Sequence, residues 1–414
     1  MKADSDLVRR QNRGLLLTTL RRSGSLARIE LGRLTGLSPA TVTAITADLI
    51  GEGIVREADV ALAAVVRRGR PLVRLSLDPQ AAHVMAVRIA VDEVEFALAG
   101  YAGEFRFRRQ ISLPTFTAVP HEFVNRVAAE ARAFLTDSGV PFESVAHCGV
   151  AVQGLADSAR GAIAWSPAFQ ARDIELLAPL HAALGVPCSI SNDANMTAEA
   201  MLASDPGRYG GTAAFIFLGY GVGMGLVIDG RVFHGTSGAA SEFGHMNHRP
   251  EGPMCRCGRN GCVEAYAADY GLLRSASGSA PQDEPPHTAV PEADMLALEQ
   301  RALAGEPQAL AAFALSGEAL GYGIARVMAL VSPERIVFTG PGARFYPLLL
   351  PALQRSLERG VVDVLRKDLV LELVPVARDA VVQGTAASAL RRLDLEVFAS
   401  GPVAAFRPPL RAAG

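Results

Sequence analysis

The sequence predicts an α/β body that follows a winged helix-turn-helix, and three observations support this fold class. From His83 onward, short apolar segments alternate with helical segments, the pattern of folds that bind ligands at their strand ends. Residues 1–80 carry a helical pattern and then two strand-like segments. The composition, 50% hydrophobic and 20% charged over 414 residues, fits two or three globular domains and argues against a largely disordered chain.

The composition also indicates where the protein works. No run of 18 uninterrupted apolar residues occurs, which argues against a membrane span, and the charged N-terminus lacks the apolar core of a signal peptide. Five cysteines, three of them within eight positions, suit a metal in a reducing compartment better than a disulfide framework. We therefore expect a cytoplasmic protein with no membrane partner.

Charge is distributed unevenly along the chain. Residues 1–80 hold 13 Lys/Arg and 8 Asp/Glu, a balance of +5, so the remainder of a chain with net charge −2 carries −7. A basic head on an acidic body is typical of proteins that bind nucleic acids, although an ordinary solvated surface gives the same pattern.

Apolar spacing and capping residues predict the first two helices of the head. Leucines at positions 15, 16, 17 and 20 form an apolar stripe on a first helix. Ser25 is expected to cap a second helix that ends near Thr35. We expect the apolar contacts of this second helix to come from Leu26, Ile29 and Leu34.

The third helix has the features of a recognition helix. Ser38 is a preferred N-cap residue, and Pro39 stands at the first helical position, where its missing N–H has no consequence. The buried stripe is predicted to be Val42, Ile45 and Leu49. The other face carries short side chains that allow entry into a major groove, and the DNA contacts predicted there are Ser38, Ala40, Thr41, Thr43 and Ala44.

Two strand-like segments after this helix predict a wing. Gly53–Val55 begins one strand, and Leu72–Leu77 alternates as the returning strand with Val73, Leu75 and Leu77 on one face. The tip between them, Arg67–Pro71, is arginine-rich, and we predict that Arg68, Gly69 and Arg70 contact phosphates or a narrow minor groove. A three-helix unit also suits a dimerisation or protein-binding head, but the wing and the charge favour DNA.

The body is predicted as a series of strands and helices. The expected strands are His83–Leu98, Phe105–Leu113, Val145–Val152, Pro187–Ile190, Thr212–Leu218, Gly225–Ile228 and Arg335–Thr339. Helices are expected over residues 121–137 and from Asn192 through Met201.

A cluster of cysteines and one histidine is the strongest chemical signal. His245, Cys255, Cys257 and Cys262 form a Cys₃His set of the kind that binds Zn²⁺ tetrahedrally. A group of free thiols is the alternative explanation. Since a closed set of four ligands leaves no position for water, we predict a structural rather than a catalytic zinc ion.

Polar residues near this cluster predict a ligand pocket. Glu242 and Glu264 lie close to the metal ligands in sequence, and Asn192 and Asp193 stand at a strand end before a helix. Inward-facing carboxylates and amides suit the many hydroxyls of a sugar. Asn192 and Asp193 are equally consistent with a simple helix cap.

These residues carry a resemblance to a known family. Residues 84–390 resemble the ROK family (repressor, open reading frame, kinase), whose members have a two-lobed, actin-like body of the sugar-kinase type. The residues that carry the resemblance are Glu242–His245, Cys255, Cys257, Cys262, Glu264 and Asn192–Asn195, with weaker support from Gly219–Gly225 and Ser166-Pro167.

The resemblance implies roles for individual residues. The family's counterparts of Asn192, Asp193, Glu242, His245 and Glu264 contact the sugar, those of His245 and the three cysteines bind zinc, and that of Asp193 is the kinases' general base. With the head included, nearly the whole chain resembles the family's transcriptional repressors. We therefore divide it into a DNA-binding domain (1–80), a sugar-binding body of two lobes (81–395) and a C-terminal tail (396–414).

The phosphate-binding half of the kinase site is altered in this chain. ROK kinases carry an Asp-x-Gly-Gly-Thr turn, and the corresponding segment is Arg88-Ile-Ala-Val-Asp92, without its glycines and with Asp92 placed to repel phosphate. Tyr220 replaces a threonine in the second glycine-rich loop. We therefore predict no enzyme activity and a vestigial role for Asp193.

The predicted function is that of a sugar-responsive transcriptional regulator, most simply a repressor. Its expected partners are operator DNA, a small sugar effector and further copies of itself, as a homodimer or homotetramer. The alternatives are a sugar kinase with an appended DNA-binding head, and a regulator that answers to a protein partner instead of a sugar.

Overall fold

The computed structural model describes residues 2–58, 73–238, 241–279, 283–375 and 379–400. Its strands are β1 (Leu26–Ala27), β2 (Val55–Glu57), β3 (Arg74–Leu77), β4 (His83–Ala90), β5 (Glu93–Gly100), β6 (Phe105–Ser112), β7 (Val145–Val152), β8 (Leu155–Asp157), β9 (Ala162–Trp165), β10 (Ile174–Glu175), β11 (Cys188–Asn192), β12 (Ala213–Leu218), β13 (Val222–Ile228), β14 (Arg231–Val232), β15 (Arg335–Thr339) and β16 (Val370–Leu373). Its α-helices are α1 (Lys2–Ser23), α2 (Arg28–Thr35), α3 (Pro39–Gly51), α4 (Pro120–Ser138), α5 (Leu177–Leu184), α6 (Asp193–Ser204), α7 (Pro206–Tyr209), α8 (Glu264–Ala267), α9 (Asp269–Ser277), α10 (Glu292–Leu303), α11 (Pro307–Val331), α12 (Tyr346–Gly360), α13 (Asp363–Arg366) and α14 (Ala380–Arg392). The predicted wing tip, Arg67–Pro71 with its three predicted DNA contacts, and the residues after 400 lie outside the described part of the chain.

The start of α2 differs from its prediction. Ser25 does not cap this helix, because Leu26 and Ala27 pair with β3 and the helix begins only at Arg28. The carboxylate of Glu30 accepts a hydrogen bond from the backbone N–H of Ala27 at 2.8 Å and takes over the capping. The hydroxyl of Ser25 instead accepts a hydrogen bond from Arg74.

Strand pairing also decides which face of α2 is buried. With Leu26 held against Leu75 in the sheet, α2 buries Leu31. Ile29 and Leu34 are 72% and 53% exposed, so their predicted packing is wrong.

The predicted capping and the predicted buried stripe of α3 are confirmed. The hydroxyl of Ser38 accepts a hydrogen bond from the backbone N–H of Thr41 at 3.2 Å, and Pro39 occupies the first turn. The stripe formed by Val42, Ile45 and Leu49 is buried. The strands that follow, β2 and β3, pair antiparallel and bury Leu75 and Leu77, whereas Val73 precedes β3 and is exposed.

The body consists of two lobes whose sheets share one topology. The first has strand order β6-β5-β4-β7-β11 and the second β14-β13-β12-β15-β16. In each, three antiparallel strands are followed by two parallel ones. The predicted strand His83–Leu98 is in fact two strands, because a tight turn at Val91-Asp92 returns the chain so that Ala90 pairs with Glu93.

Helices α6 and α14 lie in close contact between the lobes. A Cβ at Gly384 of α14 would lie 1.6 Å from the carbonyl oxygen of Met196 in α6, so this crossing requires glycine. The other face of α14 packs on the first sheet, where Thr385 contacts Gly149 of β7.

Within the described residues, α11 is the one helix long and apolar enough to cross a membrane, and 56% of that stretch is buried inside the second lobe.

The head shares its hydrophobic core with the body. Leucines of α1 pack in one cluster with residues of β4, β5 and α14. The chain continues from α14 as helical turns through Ser400, so the predicted tail boundary at residue 396 falls inside them. The buried carboxylate of Asp394, in these turns, accepts hydrogen bonds from Arg21 of α1 at 2.6 and 2.9 Å and from the Tyr101 hydroxyl at 2.6 Å. A second link runs from Arg13 of α1 to the carbonyl of Phe398.

Candidate functional site

A cleft between the lobes brings the predicted ligand-binding residues together. It encloses about 550 Å³ of empty space, part of it open to solvent. The first lobe and α6 contribute Gln153, Gly154, Trp165, Pro167, Asn192, Asp193 and Ala194, and the second lobe contributes Phe217, Gly221, Val222, Gly223, Met224, Ser241, Glu242, His245 and Glu264. All five residues predicted to contact the sugar therefore lie on one cavity, although they are up to 72 positions apart in the sequence.

Asn192 caps α6 and also ties two parts of the first lobe together. Its side-chain oxygen accepts hydrogen bonds from the backbone N–H groups of Ala194 and Asn195, at 2.7 and 3.1 Å. Its amide nitrogen donates to the carbonyl of Gly154 at 2.7 Å. The helix-cap alternative thus describes most of what this side chain does, and one amide hydrogen remains for a ligand.

Asp193 begins α6 and faces the cleft. One carboxylate oxygen accepts a hydrogen bond from the backbone N–H of Ala194 at 2.9 Å. Removal from water raises the pKa of Asp193 to about 6, an effect that Arg88 only partly opposes. Such a carboxyl can exchange a proton near neutral pH, and it accepts a hydrogen bond from a hydroxyl readily.

Glu242 lies on the opposite side of the cleft, in the second lobe. Burial raises the pKa of Glu242 to about 7, and the negative charges of Asp193 and Glu264 add to the effect while His245 opposes it. Its Oε2 lies 3.9 Å from Nε2 of His245. Two carboxyls from different lobes therefore line the same cleft.

The four predicted metal ligands form one cluster. The ligand atoms of His245, Cys255, Cys257 and Cys262 all lie within 4.8 Å of one another, so these residues could hold a metal ion. Sγ of Cys255 is 3.7 Å from Nδ1 of His245, and Sγ of Cys257 is 3.7 Å from Sγ of Cys262. Sulfur ligands about 2.3 Å from a tetrahedral Zn²⁺ would be roughly 3.8 Å apart, so the donor set fits that ion.

Two glycines allow the ligand loop to close. Gly258 and Gly261 have φ angles of 85° and 74°, which lie in the left-handed region. A Cβ at Gly261 would also lie 1.5 Å from the carbonyl oxygen of Arg249. Both positions therefore require glycine if Cys262 is to return to the cluster.

Glu264 connects the metal cluster with the cleft. One of its oxygens accepts a hydrogen bond from the backbone N–H of Val222 at 3.2 Å, next to the glycine-rich turn. The other accepts from the Tyr270 hydroxyl at 3.4 Å and lies 3.5 Å from the thiol of Cys255. Glu264 is thus held mainly by the protein, and it positions the wall of the cleft.

The turn that corresponds to the kinases' phosphate-binding turn is occupied by contacts of its own. The carboxylate of Asp92, whose φ is 54°, accepts a hydrogen bond from the backbone N–H of Thr115 at 2.9 Å. Arg88 donates to Glu93 at 2.5 Å. On the second lobe, the hydroxyl of Tyr220 donates to the carbonyl of His287, whose ring stacks on Phe116 of the first lobe at 4.1 Å.

The predicted DNA-contacting residues of α3 lie on one surface of the head. Ser38, Ala40, Thr43 and Ala44 are exposed, and Thr41 is half-buried.

Trp165 is one of the cleft residues that sequence reasoning missed. It is the only tryptophan of the chain, and it directly precedes the Ser166-Pro167 pair. That adjacency was the one available signal, since nothing in its local pattern indicates that β9 ends at the cleft.

Comparison with known proteins agrees with this architecture. The DNA-binding transcriptional repressor Mlc of Escherichia coli is 24% identical over 384 residues, which cover 92% of this chain and 93% of that protein. The crystal structure of a ROK family transcriptional regulator homologous to E. coli Mlc superposes with a TM-score of 0.76 at 24% identity, covering 95% of this chain and 99% of that one.

An enzyme shares the fold of the body. A ROK hexokinase from Thermus thermophilus superposes with a TM-score of 0.58 at 24% identity and covers 74% of this chain and 97% of its own. The ROK family itself matches residues 84–392, well over half of the 414 positions. The chain therefore belongs to the ROK family.

Proposed function

We propose that this protein is a sequence-specific DNA-binding transcriptional repressor whose DNA affinity changes when a sugar binds in the cleft between its lobes. The observation that carries the proposal is the packing of a three-helix head onto a body whose interlobe cleft gathers Asp193, Glu242 and Glu264. The full-length similarity to a named repressor supports it. A cytoplasmic location follows from this function.

In this proposal the head is a winged helix-turn-helix. Helix α3 enters the major groove with Ser38, Ala40, Thr41, Thr43 and Ala44, and the wing places Arg68, Gly69 and Arg70 against the phosphates. The short side chains of α3 allow the helix backbone to approach the bases closely. Two heads of a homo-oligomer would engage the two half-sites of one operator.

In the cleft, the proposed sugar ligands are Asn192, Asp193, Glu242, His245 and Glu264. Carboxylates accept hydrogen bonds from hydroxyls, and such charge-assisted bonds are stronger than neutral ones. Asp193 and Glu242 come from different lobes, so one sugar that contacts both would favour a particular angle between the lobes.

The metal is proposed to be a structural zinc ion held by His245, Cys255, Cys257 and Cys262. Nδ1 of His245 faces the cysteines, while Nε2 faces Glu242 and the cleft. The ion would therefore fix the ring that forms one wall of the sugar site, an arrangement in which the carboxylate orients the metal-bound imidazole.

A continuous path of contacts links the cleft to the head. Helix α6 begins at Asp193, and further along it Glu199 forms an ion pair with Arg391 of α14. The turns after α14 hold Asp394 against Arg21 of the head. A change in lobe angle that moves α6 would thus move the head, and with it the spacing of the two recognition helices.

We infer that the protein is not a kinase. A phosphate-binding turn needs free backbone N–H groups and glycines, whereas here Asp92 and Arg88 fill the turn with their own hydrogen bonds. The fold shared with a hexokinase keeps a sugar kinase as the second candidate. Sustained ATP-dependent phosphorylation of any sugar by the purified protein would favour that candidate.

The test of the proposed function is selection of DNA and its reversal by sugar. Random duplexes are enriched on the full-length protein, and affinity for the selected sequence is measured by fluorescence anisotropy with and without a panel of sugars. We expect specific binding that a sugar shifts at least tenfold. Thr43→Glu, on the exposed face of α3, should abolish DNA binding without changing the melting temperature. Asn125→Glu, at an exposed position of α4 in the body, adds the same charge and serves as the matched surface control.

A further inference from the structure

Trp165 has no assigned role, yet it occupies a fixed position on the wall of the cleft. It ends β9, where its backbone pairs with Leu155 of β8. A Cβ at Gly154 would lie 2.6 Å from the carbonyl oxygen of Trp165, so the neighbouring loop closes directly onto it. The indole also meets the ring of His245 edge-on, with centroids 5.3 Å apart and an interplanar angle of 79°. Both the backbone and the ring of Trp165 are therefore held in place.

A fixed indole beside several carboxyls has the chemistry of a sugar platform. The face of an aromatic ring is electron-rich, and the C–H bonds on one face of a pyranose ring present weakly positive hydrogens. Stacking these surfaces removes apolar area of both from water. The hydroxyls at the ring's edge then point outward, where Asp193 and Glu242 line the same cleft.

The charges of the cleft restrict what can stack there. Three carboxyls line it, from Asp193, Glu242 and Glu264, and no lysine or arginine occurs among the described lining residues. The one imidazole, of His245, turns its Nδ1 to the cysteine cluster, and its Nε2 lies 3.9 Å from the carboxylate of Glu242. The nearby guanidinium of Arg88 is bound to Glu93. A phosphate or a further carboxylate would therefore meet three carboxyls and no lysine or arginine side chain of the described lining, at a large desolvation penalty.

We propose that Trp165 is the stacking platform for the apolar face of a pyranose ring, in a cleft that accepts neutral and amino sugars and rejects phosphorylated and acidic ones. This inference rests on the proposed sugar-binding function and specifies its ligand class. Trp165 thereby selects rings that present a suitable apolar face, and the three carboxyls, with no lysine or arginine among the described lining residues, determine which ligand charge is tolerated.

The single tryptophan provides the assay. Fluorescence excited at the indole is titrated with matched probes that share one ring: glucose, glucosamine, glucose 6-phosphate and glucuronate, and then the corresponding mannose and N-acetylglucosamine sets. We expect the emission of the full-length protein to change saturably, with the neutral or amino member of a set binding at least tenfold more tightly than its phosphorylated and acidic members.

Variants of Trp165 distinguish stacking on the sugar from a purely structural role of the side chain. Their affinity for sugar is measured by calorimetry, because the tryptophan fluorescence is lost with the residue. Trp165→Phe keeps an aromatic face and should retain most of the affinity, whereas Trp165→Leu should lose at least tenfold. Phe233→Leu changes an exposed aromatic residue outside the cleft and should change nothing. Gln153→Lys adds a cation to the cleft and should narrow or reverse the preference against phosphorylated sugars.

The possible outcomes are distinct. Tighter binding of a phosphorylated or acidic sugar by the wild type, or unchanged affinity in Trp165→Leu, would overturn this inference and leave the sugar-responsive repressor standing. Failure of every probe to bind, in protein that still selects DNA, would remove both this inference and the sugar-sensing part of the proposed function.

Discussion

Replacing Asp193 by Asn should stabilise the ligand-free protein at neutral pH and weaken its binding of sugar. The pKa of Asp193 rises from an ordinary value of 3.8 to about 6, chiefly because the folded chain removes the carboxyl from water. Asn keeps the size of the side chain, and its oxygen can still accept the hydrogen bond from Ala194. The substitution therefore removes the charge and little else.

The sign of the effect follows from proton binding. Between pH 3.8 and about 6 the folded chain retains a proton that the unfolded chain releases, so the wild type loses stability as the pH rises through this window. The pKa values of Asp193 in the folded and unfolded chain differ by about two units, and each unit corresponds to about 1.4 kcal/mol. At pH 7.5 the wild type therefore loses on the order of 3 kcal/mol of folding stability. Since Asp193 is half-buried and its charge is partly screened by solvent, we expect the Asp193→Asn substitution to raise the free energy of unfolding at pH 7.5 by about 1–3 kcal/mol.

Urea unfolding at pH 4.5 and pH 7.5 measures this difference. The difference in the free energy of unfolding between Asp193→Asn and the wild type should be small at the lower pH and increase with pH. Asp205→Asn is the matched control, because Asp205 also accepts a backbone hydrogen bond at a helix start but from an exposed position. A variant that is less stable than the wild type at pH 7.5, or a gap that does not change with pH, would refute the electrostatic account.

The same variant should bind its sugar more weakly. Loss of one charge-assisted hydrogen bond is worth roughly 1.5–3 kcal/mol, or about 10- to 150-fold in the dissociation constant. A residue that costs stability while it supports binding is expected of a site kept for function. Equal affinity in calorimetric titrations of both proteins would show that Asp193 does not contact the ligand.

Three further predictions follow from other parts of the structure. Elemental analysis should find one zinc ion per chain, and Cys257→Ser should release it and lower the melting temperature; full metal content in that variant would show that the ligand set is wrong. Asp394→Ala removes the carboxylate partner of the largely buried Arg21, which keeps only its hydrogen bond to the carbonyl of Tyr101, and should lower the free energy of unfolding in urea by about 3–5 kcal/mol; a loss below 1 kcal/mol would contradict the proposed junction. Tyr101→Phe removes only one hydrogen bond of that junction, about 1 kcal/mol, and should reduce the effect of sugar on DNA affinity more than the DNA affinity itself.

Local patterns in the sequence were sufficient for much of the fold and for the metal cluster. Capping at Ser38 and the stripe Val42, Ile45 and Leu49 depend only on neighbours within one or two helical turns, and α3 agrees with its prediction. The buried strands β7 and β15 begin and end where their apolar runs do. The four candidate metal ligands lie within 18 positions and are joined by glycines, so their spacing alone indicates a cluster.

Long-range contacts decided the remainder. Ser25 fits an N-cap locally, but pairing of Leu26 with Leu75 delays the helix, and no pattern within α2 reveals that partner. The shared topology of the two lobes is a property of strand order and leaves no repeat that is obvious in the residues. Trp165 lines the cleft together with Asn192 of another strand and His245 of the second lobe, and Asp394 meets Arg21 across 373 positions. The physical reason is that capping and periodicity act over a few residues of one chain segment, whereas burial of a side chain depends on which distant surface covers it.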